Sequence, residues 1–297
     1  FLDAVETLAT NAGLELPQRV QGESFEKYKK IVEANLISKD FYVKQISDHP
    51  GGPLIKEYLN KRGISDEVIH DFELGFSPPG WSNLHDYFLK IDKKDFIKNE
   101  VGLFKKNDKN KIYDTFRNRI IFPIKSKKGH VIGFGGRVIE DEMPKYLNSA
   151  ETEVFKKGKE LYGLHEVLNK NRNLKRMVVV EGYTDVLSLF SNDIPYAVAT
   201  LGIATSKNHL EKLFSHVDEV IFCFDGDEAG MKAAESAMKI ALPIIRDGRI
   251  LKFLFLPDSE DPSSLLEKEG KEQFEKRIDS SKVLSEYLFE IIMNKYD

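Results

Sequence analysis

The 297-residue sequence contains a single cysteine, Cys223. One thiol excludes an internal disulfide and a zinc site built from several thiolates, and its place in an apolar run predicts a small buried side chain. No apolar run approaches the roughly 20 residues that a membrane-spanning helix needs, and the first residues lack the pattern of a signal peptide. We therefore expect a cytoplasmic protein without a membrane partner. Because the chain begins at Phe1 without a methionine, we also expect a fragment of a longer protein.

Charge is unevenly distributed along the chain, although the net charge is only -4. Residues 101–180 hold 18 Lys and Arg against 9 Asp and Glu, whereas residues 181–297 hold 13 against 22. A basic middle followed by an acidic third is typical of a protein that binds phosphates with one part and metal ions with another. Solvated surface charge is the alternative, and charge alone does not decide between them.

The first hundred residues predict short helices separated by glycine and proline. Ser65, followed by Asp66 and Glu67, is typical of a helix N-cap, and Ser82 predicts a second cap. A DNA-reading helix-turn-helix is one interpretation, but short helices that pack on one another are far commoner.

After Lys111, two apolar segments on either side of Lys127–Gly129 predict a β-hairpin. Gly133, Gly135 and Gly136 in its second strand predict a bulge or the close approach of another backbone or ligand. From about residue 177 to residue 256, apolar strands alternate with helices, which predicts a parallel sheet covered on both faces. The remaining residues predict charged helices.

Acidic side chains follow three of the predicted parallel strands. Glu181 follows the first, and Asp225 and Asp227 follow the second in an Asp-Gly-Asp turn. The third strand is followed by Asp258, Glu260 and Asp261. Ligands bind beyond the carboxyl ends of such strands, where these acids would repel one another without a hard cation. Mg²⁺ suits the site because it combines a few carboxylates with water and substrate phosphates.

Each acid also has a simpler interpretation. A single acid after a strand, such as Glu181, is most often a loop residue or a helix cap, and Asp185 could be an exposed helical acid. Asp-Gly-Asp also occurs in turns and calcium loops. The combination at successive strand ends is much more specific than any one of them.

Two segments, Val180–Val186 and Phe224–Gly230, resemble the signature segments of the Toprim domain. The flanking sequence resembles the bacterial replicative primase family (DnaG type), and the resemblance covers essentially the whole chain. The segments that carry it are Tyr58–Gly63, Phe116–Ile124, Gly133–Arg137, Pro144–Ser149, Phe155–Gly158, Leu161–Leu164 and Leu256–Pro262.

The resemblance implies the central RNA-polymerase core of that family, without its zinc module or helicase-binding region. The implied fold is α/β, with a basic mixed α+β subdomain at 1–155, a Toprim-type parallel sheet flanked by helices at 156–258 and a helical segment at 259–297. The implied activity is synthesis of short RNA primers on single-stranded DNA from ribonucleoside triphosphates. A monomer is expected, and the replicative helicase and single-strand-binding protein would contact regions outside this chain.

The resemblance also assigns roles to individual residues. The metal site, for Mg²⁺ with Mn²⁺ as an alternative, would use Glu181, Asp225 and Asp227, with Asp185, Asp258 and Asp261 in support. Many relatives carry a further acid two residues after Asp261, where this chain has Ser263. No zinc is expected in this fragment.

The remaining assignments concern the substrates. The implied nucleotide-binding cations are Arg137, Lys145 and Lys157. The implied nucleic-acid contacts are Arg117, Arg119, Tyr146 and Asn148. The two arginines would line the path of template or nucleotide, and Tyr146 could instead simply pack. A topoisomerase or nuclease with the same domain, and a non-catalytic single-strand-binding module, are the rival functions.

Overall fold

The computed structural model describes residues 23–98, 101–139 and 143–296. Its helices are α1 (Glu23–Asp48), α2 (Gly52–Asn60), α3 (Asp66–Asp71), α4 (Asn83–Lys90), α5 (Lys94–Lys98), α6 (Leu164–Lys170), α7 (Tyr183–Ser191), α8 (Lys207–Phe214), α9 (Glu228–Ala241), α10 (Pro262–Asp279) and α11 (Leu284–Tyr296). Its strands are β1 (Gly75–Ser77), β2 (Phe104–Lys106), β3 (Ile112–Asp114), β4 (Arg119–Lys125), β5 (Val131–Val138), β6 (Tyr146–Asn148), β7 (Arg176–Val180), β8 (Ala197–Ala199), β9 (Glu219–Phe224), β10 (Ile250–Phe255) and β11 (Lys282–Val283).

An antiparallel sheet in the order β1-β4-β5-β6 forms the centre of the first half of the chain. The predicted hairpin is confirmed as β4 and β5, which pair Ile121 with Gly136. The register shifts between Ile124, which pairs with Gly133, and Lys125, which pairs with Val131, so the irregularity lies directly beside Gly133. Strands β2 and β3 pair separately.

One of the two predicted helix caps is confirmed. The Ser65 hydroxyl accepts a hydrogen bond from the backbone N–H of Val68 at 3.3 Å, at the start of α3. Ser82 occupies the predicted N-cap position of α4, but its hydroxyl makes no capping hydrogen bond and instead donates to the carboxylate of Asp86 at 2.8 Å. The first turn of α4 is capped from a distance by Asp114, which accepts from the backbone N–H groups of residues 84 and 85.

The second half of the chain contains a sheet in the order β11-β10-β9-β7-β8. Strands β10, β9, β7 and β8 are parallel, as predicted, and β11 is an antiparallel edge strand. Separate buried apolar clusters contain alternate residues of the same strand, for example Val178 and Val179 of β7, so both faces are covered. The free thiol of Cys223 is buried, which confirms its predicted environment.

The two sheets meet where the glycines of β5 face the start of α7. A Cβ added to Gly135 would lie 2.6 Å from Cζ of Tyr183, so a larger residue would displace the tyrosine ring. The same ring stacks on Phe122 of β4 with centroids 5.1 Å apart. The close approach at Gly135 is therefore made by a side chain of the second half, and not by another backbone or a ligand as predicted. Within the described ranges, no helix combines the length and apolarity needed to cross a membrane.

Candidate active site

A cleft of about 380 Å³ opens beyond the carboxyl ends of the parallel strands. It lies between these strand ends and the β5–β6 edge of the first sheet. Its acidic lining is Glu181, Asp185, Asp225 and Asp261. Its cationic lining is Arg62, Arg137 and Lys145. The structure thus brings together acids and cations that are far apart in sequence.

The glycine of the Asp-Gly-Asp turn is required by packing. A Cβ on Gly226 would lie 2.3 Å from the carbonyl oxygen of Pro257, so only glycine lets the turn after β9 pack against the loop after β10. Asp227 and Asp261 then cap the N-termini of α9 and α10, each accepting a hydrogen bond from a backbone N–H at 2.7 Å. Helix N-termini favour negative charge, which stabilises both carboxylates.

Asp225 is surrounded by like charges. Its partial burial, followed by the charges of Glu181, Asp261 and Asp227, raises its pKa to about 6. Partial burial also raises the pKa of Glu181, where a hydrogen bond from the backbone N–H of Asp225 opposes the shift and Asp227 adds to it. The carboxylates at the ends of β7 and β9 therefore repel each other.

Asp185 is a buried acid, with only 9% of its surface exposed, and not an exposed residue of α7. Burial, then the nearby charges of Asp261 and Asp225, raises its pKa to about 7. Its carboxylate accepts a hydrogen bond from the backbone N–H of Gly182 at 3.0 Å, which opposes that shift. Asp185 therefore belongs to the acidic wall of the cleft.

The acids suit a divalent cation for two reasons. Carboxylate oxygens are suitable ligands, and a cation would offset the repulsion between the carboxylates. Hard oxygen ligands suit Mg²⁺, which completes its shell with water and substrate phosphates. Among the residues that the structure describes, no three Asp, Glu, His or Cys side chains form a closed metal-binding group. Asp227 and Asp258 are exposed and do not line the cleft. The arrangement is an open acidic edge, not an enclosed cage.

Arg137 of β5 is buried, with 3% of its surface exposed. Its guanidinium donates hydrogen bonds to the hydroxyls of Tyr146 and Thr184, the latter at 3.3 Å. Its Nε atom has no hydrogen-bond partner in the described part of the chain. Burying a charge with an unused donor is costly, so an anionic ligand in the cleft would stabilise this side chain.

The other predicted cations lie in different places. The buried guanidinium of Arg119 donates to the backbone carbonyl of Lys145 at 3.3 Å, which helps to place that lysine beside the cleft. Lys157 does not line the cleft. Its turn is held by α8, because the ring of His209 contacts the Lys157 carbonyl oxygen at 2.9 Å and the hydroxyl of Ser206 donates to the carbonyl of residue 158.

Arg117 stacks on aromatic side chains at the surface. Its guanidinium carbon lies 4.5 Å from the ring centroid of Trp81 and 5.3 Å from that of Tyr113. Trp81 is 63% exposed. An exposed ring beside a cation is a typical platform for unpaired bases. This pair could not be predicted from the sequence, because Trp81 precedes Arg117 by 36 residues.

Tyr146 and Asn148 lie on β6 beside the cleft. Tyr146 is 38% exposed, so its ring is accessible. The amide of Asn148 donates to the carbonyl of Leu201 at 2.9 Å and accepts from the hydroxyl of Tyr183 at 2.5 Å. Asn148 thus joins the two halves of the chain. The sequence reasoning missed Arg62, Tyr183 and Thr184 as cleft residues.

The strand order and the acids at the strand ends define a Toprim-like domain, and a family described as Toprim-like matches residues 178–266. A second family, described as the DNA primase catalytic core, N-terminal domain, matches residues 41–168. DNA primase of Salmonella typhimurium strain LT2 is 42% identical over 302 residues, covering 100% of this chain and 52% of that protein. DNA primase of Escherichia coli K12 is 44% identical over 301 residues, again covering 100% and 52%.

Solved structures agree with these matches. A DnaG primase catalytic domain bound to ssDNA has a TM-score of 0.85 and 44% identity, covering 91% of this chain and 87% of that one. A primase of Aquifex aeolicus, comprising zinc-binding and RNA polymerase domains, has a TM-score of 0.79 and 34% identity, covering 97% and 69%. The chain belongs to the DnaG-type family of bacterial DNA primases. It spans about half the length of the curated relatives it matches.

Proposed function

We propose that this chain is the catalytic core of an enzyme that makes short RNA primers on single-stranded DNA. The observation that carries the proposal is one cleft with Glu181, Asp185 and Asp225 among its acids and Arg137 and Lys145 among its cations. A nucleoside triphosphate with bound metal needs both kinds of group. Membership of the primase family and the ssDNA bound to the similar catalytic domain support the choice of reaction.

In this reaction a 3′-hydroxyl attacks the α-phosphate of the incoming ribonucleotide, and pyrophosphate leaves. When bound, divalent metal ions would lower the pKa of the attacking 3′-hydroxyl and neutralise charge on the phosphates. We assign their binding to Glu181, Asp225 and Asp227, with Asp185, Asp258 and Asp261 in direct or indirect support. Mg²⁺ is the proposed ion, with Mn²⁺ as an alternative.

The cations act on the other side of the nucleotide. Arg137 and Lys145 both line the cleft, where the buried guanidinium of Arg137 has an unused donor among the described residues and Lys145 is exposed. We propose that both bind the triphosphate as pyrophosphate departs. Lys157 is a third proposed phosphate contact, presented by the turn that His209 holds. Tyr146 and Asn148 are proposed to place the base and sugar.

The template strand is proposed to cross the basic middle of the chain, residues 101–180, which contains Arg117 and Arg119. The stack of Arg117 on the exposed ring of Trp81 offers a guanidinium for phosphate and an aromatic face for an unpaired base. Arg119 supports the same side of the cleft through the backbone of Lys145. We propose that residues 1–155 make the template and nucleotide contacts other than that of Lys157, and that residues 156–258 supply the metal-binding acids other than Asp261. Residues 259–297 contribute Asp261 and cover the sheet with helices.

Membership of the primase family also supports proposals for the cellular location and the protein partners. A replication enzyme of this type works in the cytoplasm, and contacts with the replicative helicase and single-strand-binding protein would use regions outside this chain. We propose that the chain itself retains primer synthesis.

Primer synthesis on a single-stranded template with labelled ribonucleotides and Mg²⁺ tests the proposal. We expect primers from the wild type and at least a roughly hundredfold loss for Asp225→Ala, because the metal site would be incomplete. Asp247→Ala, at an exposed position away from the cleft, is the matched control and should retain full activity. Cleaved strands would favour a nuclease, a bound but unaltered template would favour a binding module, and full activity of Asp225→Ala would exclude the assigned role.

A further inference from the structure

Tyr58 on α2 contacts two of the cations that line the cleft. The guanidinium carbon of Arg62 lies 5.2 Å from the centroid of its ring. The guanidinium carbon of Arg137 lies 5.7 Å from the same centroid. Arg137 also lies over Tyr146, at 4.9 Å from that centroid. One ring therefore holds two arginines that come from different parts of the chain.

The ring of Tyr58 offsets the repulsion between the two arginines. The guanidinium carbons of Arg62 and Arg137 lie 5.2 Å and 5.7 Å from the centroid of the same ring, so the two groups are near each other. Their positive charges repel. The face of an aromatic ring carries partial negative charge, which attracts a cation within about 6 Å. Tyr58 can thus keep both arginines near the cleft before an anion is present.

The ring is also well anchored. Tyr58 is half-buried and packs against the large apolar cluster of the molecule. Arg62 follows it by four residues, and its backbone N–H donates to the carbonyl of Leu59 at 3.0 Å, which continues the helical turn. Arginine side chains have high rotamer entropy, so a ring that fixes them in advance lowers the cost of binding an anion.

We propose that Tyr58 is a positioning residue that holds Arg62 and Arg137 ready for the phosphates of a nucleoside triphosphate. The inference rests on the proposed function and adds to it a residue that touches neither metal nor phosphate. The Nε of Arg137, buried and without a hydrogen-bond partner among the described residues, is the donor that this arrangement leaves unused.

Equilibrium binding of ATP in the presence of Mg²⁺ tests the role directly. Tyr58→Leu keeps apolar packing but removes the ring, and we expect it to weaken ATP binding about three- to tenfold, as loss of ordinary cation–π contacts would. Tyr58→Phe keeps the ring and should bind within about twofold of the wild type. Tyr28→Leu, at a surface tyrosine 37% exposed, is the matched control and should bind normally.

Thermal unfolding of each variant shows that it is folded, and Tyr58→Met replaces Tyr58→Leu if the latter is not. In primer synthesis, Tyr58→Leu should raise KM for ribonucleotides and leave kcat unchanged. In an Arg62→Ala background the same substitution should have a smaller effect, since one of its partners is gone. ATP binding by Tyr58→Leu equal to that of the wild type, an equal loss in Tyr58→Phe, or full additivity with Arg62→Ala would each overturn the proposal.

The two proposals fail in different ways. A wild-type chain that binds ATP with the expected dependence on Tyr58 but makes no primers would contradict the proposed function alone. A chain that makes primers, but whose ATP binding is unchanged by Tyr58→Leu, would contradict the positioning role alone.

Discussion

Asp185, in the first turn of α7, lies close enough to Asp225, at the end of β9, for the charge of Asp225 to add to the rise in its pKa that burial and then Asp261 produce. Asp185 and Asp225 belong to different elements, and their charges meet only because β7 and β9 run parallel and end at one edge. Such repulsion is costly for the folded protein when no cation is bound. The acidic edge is therefore a place where stability has been given up, as is common at functional sites.

Asp185→Asn should make the metal-free protein more stable at pH 8. The ordinary pKa is 3.8 and the folded value is about 7, so the folded state binds the proton more tightly than the unfolded chain. Stability of the wild type should then fall as the pH rises from about 4 to about 7. We expect the asparagine variant to exceed the wild type by roughly 2 kcal/mol at pH 8.

Urea unfolding in EDTA across this pH range measures the difference. The difference in the free energy of unfolding between Asp185→Asn and the wild type should disappear as the pH approaches 4. Asp247→Asn, an exposed acid, should show no such trend. A difference independent of pH would mean that ionisation of Asp185 is not the cause.

Mg²⁺ should stabilise the protein more at high pH than at low pH. Asp225 has a pKa of about 6, so its carboxylate is mostly protonated below that pH and ionised above it. A ligand of the native state raises the melting temperature according to its affinity. We expect the shift produced by Mg²⁺ to be larger at pH 8 than at pH 5.5 and to be lost in Asp225→Asn, both read by thermal unfolding. Equal shifts at both pH values would argue against binding by this carboxylate.

Lys145→Ala should weaken the use of nucleotide more than the chemical step. Its side chain lines the cleft beside Arg137, where a flexible ammonium can bind the triphosphate. We expect KM for ribonucleotides to rise roughly tenfold, as loss of one charge-assisted contact would produce. Steady-state kinetics on a fixed template gives the comparison, with the exposed Lys239→Ala as control. An unchanged KM would remove Lys145 from the nucleotide site.

The acidic edge could be predicted because its signals are local. A buried apolar strand followed directly by Glu181 or Asp225 places the acid at the strand end, whatever the rest of the chain does. The parallel arrangement then follows from continuous apolar strands separated by helices. Strand β11 was missed because it is two residues long and has no pattern of its own.

The rest of the site depends on contacts between distant residues. Asp114, 30 residues beyond Leu84, accepts the backbone hydrogen bonds at the start of α4, and nothing in the sequence around Ser82 indicates that the hydroxyl at the N-cap position does not. The contact between Tyr58 and Arg137 spans 79 residues in the same way. Resemblance located the motif residues, but only the packing of the two sheets shows which of them share a cleft.

The fluorescence of Trp81 can be used to test the proposed path of the template. Trp81 is the only tryptophan in the sequence, it is exposed, and it lies under the guanidinium of Arg117. A base stacking on this ring should quench its fluorescence on titration with a single-stranded oligodeoxynucleotide. Arg117→Ala should weaken binding at every sequence and reduce the slope of log affinity against log salt by about 1. Fluorescence unaffected by saturating DNA would place the template elsewhere.

Lys125 is a buried cation outside the cleft whose removal should destabilise the fold. Its ammonium lies 2.9 Å from the carboxylate of Glu73 and 3.1 Å from that of Glu166, and its side chain is 7% exposed. Lys125→Met would leave Glu166, itself 9% exposed, without its cation. Breaking a buried ion pair by removing one partner costs roughly 3–5 kcal/mol, so we expect a loss of that size in urea unfolding.

The exposed pair of Lys232 and Glu228, 2.6 Å apart on α9, is the control for Lys125→Met. Lys232→Met should cost less than about 0.5 kcal/mol, because water already solvates both charges. Adding Glu166→Leu to Lys125→Met should recover part of the loss, since the uncompensated charge is then removed. If the double variant were no more stable than Lys125→Met alone, the loss would come from packing of the lysine stem and not from the stranded carboxylate.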